Sequence, residues 1–428
     1  MTQDRRKFLL ASGLGLGTLL PALPSSKTKD WTWLHDLKNI SVDDSIEDEA
    51  YWHEIRRAFT VSSTVINLNN GGVSPSPLTV QQAVERYNQL SNEAPSYYMW
   101  RVLDQGREPL RERLANLAGC SPDEIAINRN ASEALETIIF GLRLEKGDEI
   151  VLTKQDYPNM INAWKQRAHR DGIVLKWINL ELPIENESDL ANQYINAFTS
   201  KTKIVHITHV INWTGQIIPS RRIADEAHKR GIEVLVDGAH SFVHIDFKIP
   251  DLGADYFGTS LHKWLCAPIG SGMLYVKKDK ISKLYPLLAA GDPESEDIRK
   301  FENLGTRSFP IEQGIAQAID FNEMLGMERK EKRLRFLKNY WCQKVNELEE
   351  VHLNTSLKNN FSCAIANISI KGKTPADLDG YLWDKHKIHT VGIVWENING
   401  VRITPNVYTQ LSELDKLVDA IHKFVKLK

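Results

Sequence analysis

The sequence predicts an α/β fold: a mostly parallel central sheet with helices on both faces, followed by a smaller α+β domain at the C-terminal end. Two observations carry this. From about residue 124, short apolar runs ("EIAIN", "DEIVLTK", "IVLKWINL", "KIVHITHV", "EVLVDG") alternate with helix-length amphipathic stretches, which is the pattern of βαβ units. After residue 295 that rhythm gives way to long charged helical segments, a few short strands and a final helix, "SELDKLVDAIHKFVKLK".

Taken in order, residues 1–30 read as an address rather than as part of the fold. "DRRKFLLASGLGLGTLLPALPSS" sets Arg5 and Arg6 before Phe8 and a Leu/Gly run too short and glycine-rich for a comfortable membrane span. It resembles a bacterial twin-arginine export signal, whose pattern is two arginines, any residue, Phe, Leu. The expectation is a periplasmic protein with no membrane integration after processing; an uncleaved anchor or a chance basic start is the alternative. Residues 31–90 form an aromatic-rich amphipathic lead-in, then a short strand and a Gly/Pro loop, "INLNNGGVSPSP", expected to pack with the small domain. Residues 91–295 make the large domain that carries the ligand site, and 296–428 the small one. Two helical separators of the large domain, "MINAWKQRAHRDG" and "SRRIADEAHKRG", end on Gly172 and Gly231, where a C-terminal cap is expected.

Composition narrows the function. Fifty-three basic and 55 acidic residues leave a formal charge of −2, which favours neither nucleic acid nor a membrane surface as partner. A small-molecule substrate is the expectation. The four cysteines, Cys120, Cys266, Cys342 and Cys363, include no CxxC pair, so no metal site is expected. They allow three pairings or none, with buried free thiols the expected case.

In open α/β sheets ligands collect at the carboxyl ends of the strands, and four features fall there. In "INRNASEAL", Asn130, Ala131 and Ser132 open a helix whose free N–H groups suit a phosphate; Asn130 with Glu133 reads equally as a capping pair. Asp237 ends the apolar strand of "EVLVDGAH", where a carboxylate must be paired or turned toward a polar site, unless it makes a local turn. Asn212 follows another strand in "HVINWTG", and Lys263 lies in "TSLHKWLCAPIGSGMLYV". No GxGxxG or GxxxxGK[ST] accompanies them, so dinucleotide and P-loop readings lack their marks. Pyridoxal 5'-phosphate (PLP) asks for the whole set: an amine, a carboxylate opposite the ring nitrogen, phosphate donors and a flat group over the ring. A partly desolvated lysine loses proton affinity and becomes a nucleophile.

On these residues, the chain from about 65 to its C-terminus resembles the class V aminotransferase branch of fold type I PLP-dependent enzymes. "HKWLCAPIGSGMLYV" is close to the stretch of isopenicillin N epimerase-like members, with Ile269 where those often have lysine. The resemblance implies that Lys263 forms a Schiff base with the cofactor and moves the α-proton. It implies that Asp237 holds the pyridine nitrogen protonated, that Asn212 and His240 contact the phenolic oxygen, and that Tyr157 in "KQDYPNM" stacks on the ring. Ala131, Ser132, Ser260 and His262 are implied at the phosphate, with Thr306 of "ENLGTRSF" reaching it from the second subunit of a homodimer with a shared active site. Arg402 in "VRITPNVY" is implied to take a substrate carboxylate. The substrate pocket is expected to draw on "NNGGVSPSP", through Asn70, and on "SYYMW", with Met99 and Trp100. Singly, Ser260 and His262 could be core polar groups and Tyr157 a packing residue at a helix start; Arg307 reads as an ion-pair residue.

Aminotransferase chemistry at an amino-acid or peptide-linked amino group is the first expectation, because an amine site with one carboxylate arginine suffices for it. Epimerisation is the nearest rival. Kynureninase-type or desulfurase lyase chemistry and a non-catalytic PLP-binding sensor are the others. Desulfurases of this branch carry a nucleophilic cysteine shortly before the arginine, whereas "HTVGIVWENINGVR" has none.

Overall fold

The structure, a computed structural model, describes residues 40–427. The twin-arginine segment lies outside the described residues. Among the described residues, no helix is long and apolar enough to cross a membrane.

The large sheet has seven strands: β1 (Ile125–Asn128), β2 (Glu149–Thr153), β3 (Val174–Ile178), β4 (Thr202–Thr208), β5 (Glu233–Asp237), β6 (Tyr256–Ser260) and β7 (Gly272–Val276). They lie side by side as β1-β7-β6-β5-β4-β2-β3. All run parallel except β7, which pairs antiparallel with both β1 and β6. The five apolar runs predicted as strands are β1 to β5, and β6 is not among them. The reversed strand "GMLYV" was not legible in them, because side-chain alternation is the same in either direction.

Period-2 alternation splits the strand residues between two apolar layers. Val151, Val205, Ile207, Val234 and Val236 meet Leu110 and Leu114, Leu190 and Tyr194, and Ile223 and Ala227. These come from the helices Arg107–Ala118, Glu187–Ile195 and Ser220–His228. Ile150, Leu152, Ile204 and Leu235 face the other way, onto Leu135 and Ile138 of helix Ala131–Gly141 and Met160 and Trp164 of helix Pro158–Asp171. Burial on both faces is why these strands read as near-continuous apolar runs. Helix Phe309–Leu325 adds Ile315, Ala318 and Ile319 to the first layer.

A second sheet, β8 (Val351–Leu353), β9 (Ala366–Ile370), β10 (Val391–Trp395) and β11 (Ile398–Ile403), is antiparallel in the order β10-β11-β9-β8. Its Ile368, Val401 and Ile403 pack on Leu337 and Trp341 of helix Met327–Val345 and Leu417 and Ile421 of helix Leu411–Val425. The strand pair Ile66–Asn67 with Ile388–His389 ties the segment before the Gly/Pro loop to this region. The fold is thus the α/β fold with a mostly parallel central sheet and helices on both faces, with a smaller C-terminal sheet.

Two glycines fix the close approaches that shape the site. A Cβ on Gly238 would sit 1.9 Å from the Phe257 ring, and one on Gly272 would sit 2.5 Å from the Asn130 backbone nitrogen. The first lets the chain turn directly after Asp237; the second lets β7 pass under the loop that starts helix Ala131–Gly141.

Candidate active site

The carboxyl ends of β2, β4, β5 and β6 carry Thr153, Thr208, Asp237 and Ser260 to one end of the sheet, where a cavity of about 370 Å³ opens. Lys263, Asp237, Asn212, His240, Ala131, Ser132, Tyr157, Ser260, His262 and Arg402 all line it. Of the residues singled out in the sequence for the cofactor and substrate, Thr306, Asn70, Met99 and Trp100 do not line it. Thr306 is exposed and faces a separate cavity of about 250 Å³, together with Arg107, Arg129 and Glu312. Asn70 is buried and occupied within the protein: its amide donates to the Thr404 carbonyl at 2.8 Å and its Oδ1 accepts from the Tyr408 hydroxyl at 2.6 Å. The neighbouring Gly71 and Gly72 line the cavity in its place.

Lys263 sits three residues past the end of β6, and its Nζ is 3.1 Å from Nε2 of His240. Burial pushes its amine down to about 8, with Arg402 adding to the shift and Asp237 opposing it. Asp237 ends β5, and its Oδ1 accepts from the Ala239 amide at 2.9 Å. Its other oxygen has no protein donor among the described residues. Burial holds this carboxyl above its ordinary range, against the pull of His206, the Ala239 amide and Lys263. A desolvated carboxylate of this kind is stabilised by a proton-bearing cation, which is what a pyridinium nitrogen offers.

The start of helix Ala131–Gly141 is capped by Asn130, whose Oδ1 accepts from Glu133 N at 2.9 Å, while Ala131 N donates to Ser260 Oγ at 2.9 Å. The predicted capping pair and the predicted phosphate site therefore share one helix end. The Ser132 amide and the Ser132 and Ser260 hydroxyls are left facing the cavity for an anion. His262 donates from Nδ1 to the Ser271 carbonyl at 3.2 Å, which leaves Nε2 for a ligand.

Across the cavity, Arg402 on β11 is buried, and burial lowers its guanidinium to about 10. It donates to the Asn212 carbonyl at 3.0 Å and to Asn69 Oδ1 at 2.9 Å, and Nε has no partner. No carboxylate pairs with it among the described residues, and a buried cation without a counter-anion favours an anionic ligand beside it. Asn212 is also incomplete: its Oδ1 is buried without a partner.

Sequence reasoning missed several contributors. Asp156 accepts from Thr153 N, Thr153 Oγ1 and Thr208 Oγ1 at 2.8, 2.9 and 2.8 Å, and so fixes the turn that delivers Tyr157, the N-cap of helix Pro158–Asp171, to the cavity. Its place one residue before Tyr157 was the available signal. Trp213, Val391 and Ile393 supply an apolar wall, with Trp213 stacked on Trp395 at 5.6 Å and 26°. Met99 and Trp100 do not reach this cavity; Trp100 packs edge-on against Phe309 at 4.9 Å. Arg307 pairs with Asp104 at 2.6 Å and Glu312 at 2.8 Å. All four cysteines are free thiols. Where a desulfurase cysteine was sought, residues 389–402 form the β10–β11 hairpin.

An amine of lowered basicity, a desolvated carboxylate, an open helix end, an orphaned amide oxygen and an uncompensated guanidinium in one cavity meet the demands of PLP and an amino-acid carboxylate together. Known proteins agree. Residues 66–392 match the aminotransferase class-V family, and the chain belongs to that family; its cofactor is PLP. It is 29% identical over 392 residues to an isopenicillin N epimerase of Streptomyces clavuligerus, covering 87% of this chain and 98% of the relative. It is 30% identical over 321 residues to a probable cysteine desulfurase of Halalkalibacterium halodurans, covering 69% of this chain and 78% of the relative. Among solved structures, a cysteine desulfurase from Thermococcus onnurineus NA1 superposes with a TM-score of 0.78 at 24% identity, over 87% of this chain and 98% of that one.

Proposed function

We propose that this chain is an aminotransferase that moves the amino group of an amino acid, free or peptide-linked, to a keto-acid acceptor. PLP, when bound, supplies an aldehyde for amine capture and a ring that accepts electron density from the α-carbon. The chain's own groups do the rest. Asp237 keeps the ring nitrogen protonated, Asn212 and His240 face the phenolic oxygen, and Tyr157 covers the ring. The start of helix Ala131–Gly141 with Ser260 and His262 takes the phosphate. Lys263 captures the cofactor and then carries the α-proton.

The observation that carries this reading is Arg402, a buried guanidinium with no counter-anion in the cavity that holds Lys263. One such arginine orients one carboxylate, which is what an α-amino acid needs. Arg402→Ala should therefore raise the half-saturating concentration of a carboxylate donor ~10- to 100-fold, the worth of a hydrogen bond to a charged group. Arg402→Lys should restore only part of it, because a point charge cannot form the bidentate fork.

Epimerisation is the second reading, favoured by the epimerase relative that this chain covers nearly end to end. A donor screen in deuterated water separates the two. An aminotransferase yields a new amino acid and a keto acid only when an acceptor is present. An epimerase inverts its substrate and places deuterium at the α-carbon without one. Cleavage of the donor with neither outcome would sink both in favour of a lyase, and binding without turnover would sink both in favour of a sensor.

The pH behaviour of cofactor capture follows from Lys263. Only the free amine is nucleophilic, and its pKa is about 8. The rate at which cofactor-free protein takes up PLP should climb about tenfold per pH unit below that value and level off above it. A rate flat between pH 6 and 9, followed by stopped-flow absorbance, would contradict the assignment.

Two further parts of the proposal concern assembly and address. The exposed Thr306, away from its own subunit's cavity, fits a homodimer in which it reaches the phosphate across the interface. Residues 1–30 direct export to the periplasm; a reporter fused after them should be exported, and Arg5→Lys with Arg6→Lys should stop it.

A further inference from the structure

Directly after Lys263 comes Trp264, whose indole Nε1–H points at Nδ1 of His240 across 3.4 Å. An indole nitrogen can only donate, so Nδ1 must accept, and the one ring proton of a neutral His240 lies on Nε2. That same Nε2 stands 3.1 Å from the Lys263 nitrogen. We infer that Trp264 is a positioning residue: it locks His240 in the Nε2–H tautomer, which donates a hydrogen bond to the Lys263 nitrogen and favours that nitrogen's unprotonated form. The inference rests on the reading of Lys263 as the amine that captures PLP.

Trp264 is held through both its ring and its backbone. Its ring stacks on His244 at 3.8 Å and 7°. His244 is fixed in turn by backbone groups: Nδ1 donates to the His240 carbonyl at 2.6 Å, and Nε2 accepts from Ala364 N at 2.9 Å. The Trp264 carbonyl accepts from the buried ammonium of Lys330. Asn322, which accepts from Lys330 at 2.7 Å, donates to the Leu265 carbonyl at 2.9 Å. These contacts anchor Trp264 on both ring and backbone, so its N–H cannot follow His240 if that ring changes tautomer.

The charged and titratable groups around the pair support a neutral imidazole. Burial lowers His240 well below its ordinary pKa, and Lys263, Arg402 and His244 act in the same direction. At Lys263, Arg402 disfavours the ammonium and Asp237 favours it, and His262 is the remaining neighbour coupled to it. Against Asp237, a hydrogen bond donated by His240 keeps the nitrogen's lone pair engaged. An Nδ1–H tautomer would do the reverse and accept from the protonated nitrogen.

Trp264→Phe tests this, since it keeps the aromatic stack and removes the N–H. In the cofactor-free protein, the midpoint of the pH profile for PLP uptake should rise by about one unit, the size of one hydrogen bond to the unprotonated amine. A purely structural role would lower the melting temperature and leave that midpoint unmoved, which would overturn the inference. Independently, nitrogen-15 spectra of histidine-labelled, cofactor-free parent protein should show His240 with its proton on Nε2; a proton on Nδ1 overturns the inference even if the variant does not fold. Parent protein that never takes up PLP would sink the reading of Lys263, while the tautomer spectrum would still decide the Trp264 contact.

Discussion

Replacing Lys263 with alanine should leave a folded protein that shows no lysine-imine absorbance with PLP and turns over ~10²–10⁴-fold more slowly, the range lost with a positioned proton-transfer group. Two separate consequences of one side chain are involved: capture of the aldehyde and movement of the α-proton. Added methylamine should recover part of the second without restoring the first. The fold should not suffer. The Lys263 pKa, about 8, lies below the ordinary lysine value of 10.5 because of burial. An amine whose pKa is lowered on folding makes the ammonium costly in the native state, so its contribution to stability improves as pH rises through that window. At pH 7 the cofactor-free variant should therefore melt no lower than the parent, and any advantage should shrink above pH 8. Borohydride treatment of PLP-loaded parent should tag the peptide that contains Lys263, and the variant should carry no tag. A tag on another lysine would move the site.

The large sheet and its ligand end were readable because both rest on local chemistry. Apolar strand runs and glycine-capped helices are periodic in sequence. Asp237 and Lys263 each stand as a charge at the edge of an apolar run, where a charge needs a reason. Contacts between residues distant in the chain were not readable. Lys330 and Lys338 lie in "ERKEKRLRFLKNYWCQKVNELEE", whose charge density reads as a solvated face. In the structure Lys330 is 1% and Lys338 0% exposed, and their ammonium groups close loops through carbonyl and hydroxyl acceptors such as Ser356 O and Ser362 Oγ. Trp264 escaped attention for the opposite reason. An apolar residue inside an apolar stretch raises no question until its N–H is found aimed at His240. Likewise Asn70 was chosen for its type in a glycine loop, yet tertiary partners consume its amide, and the glycines beside it open onto the cavity.

The second large effect is expected at Asp237. Asp237→Asn removes the one anion placed to hold a proton on the ring nitrogen, and turnover should fall ~10²–10³-fold, as when a preorganised electrostatic group is deleted from an active site. Stability should move differently. Asp237 is buried and its carboxyl is held above the ordinary range, so its ionisation opposes folding of the cofactor-free chain once pH exceeds the unfolded carboxyl's value. Neutral asparagine lifts that penalty. The cofactor-free variant should therefore melt no lower than the parent at pH 7, while the rise in melting temperature on adding PLP should shrink. The parent loses this penalty on acidification, so the two cofactor-free proteins should converge in stability as pH falls through the carboxyl range. A cofactor analogue methylated on the ring nitrogen supplies the positive charge without a proton, and it should narrow the activity gap between parent and variant. If the analogue leaves the gap as wide as PLP does, the carboxylate is not acting through that nitrogen. In that case the convergence of Asp237, Asn212 and Lys263 on one cavity would need a different ligand to explain it.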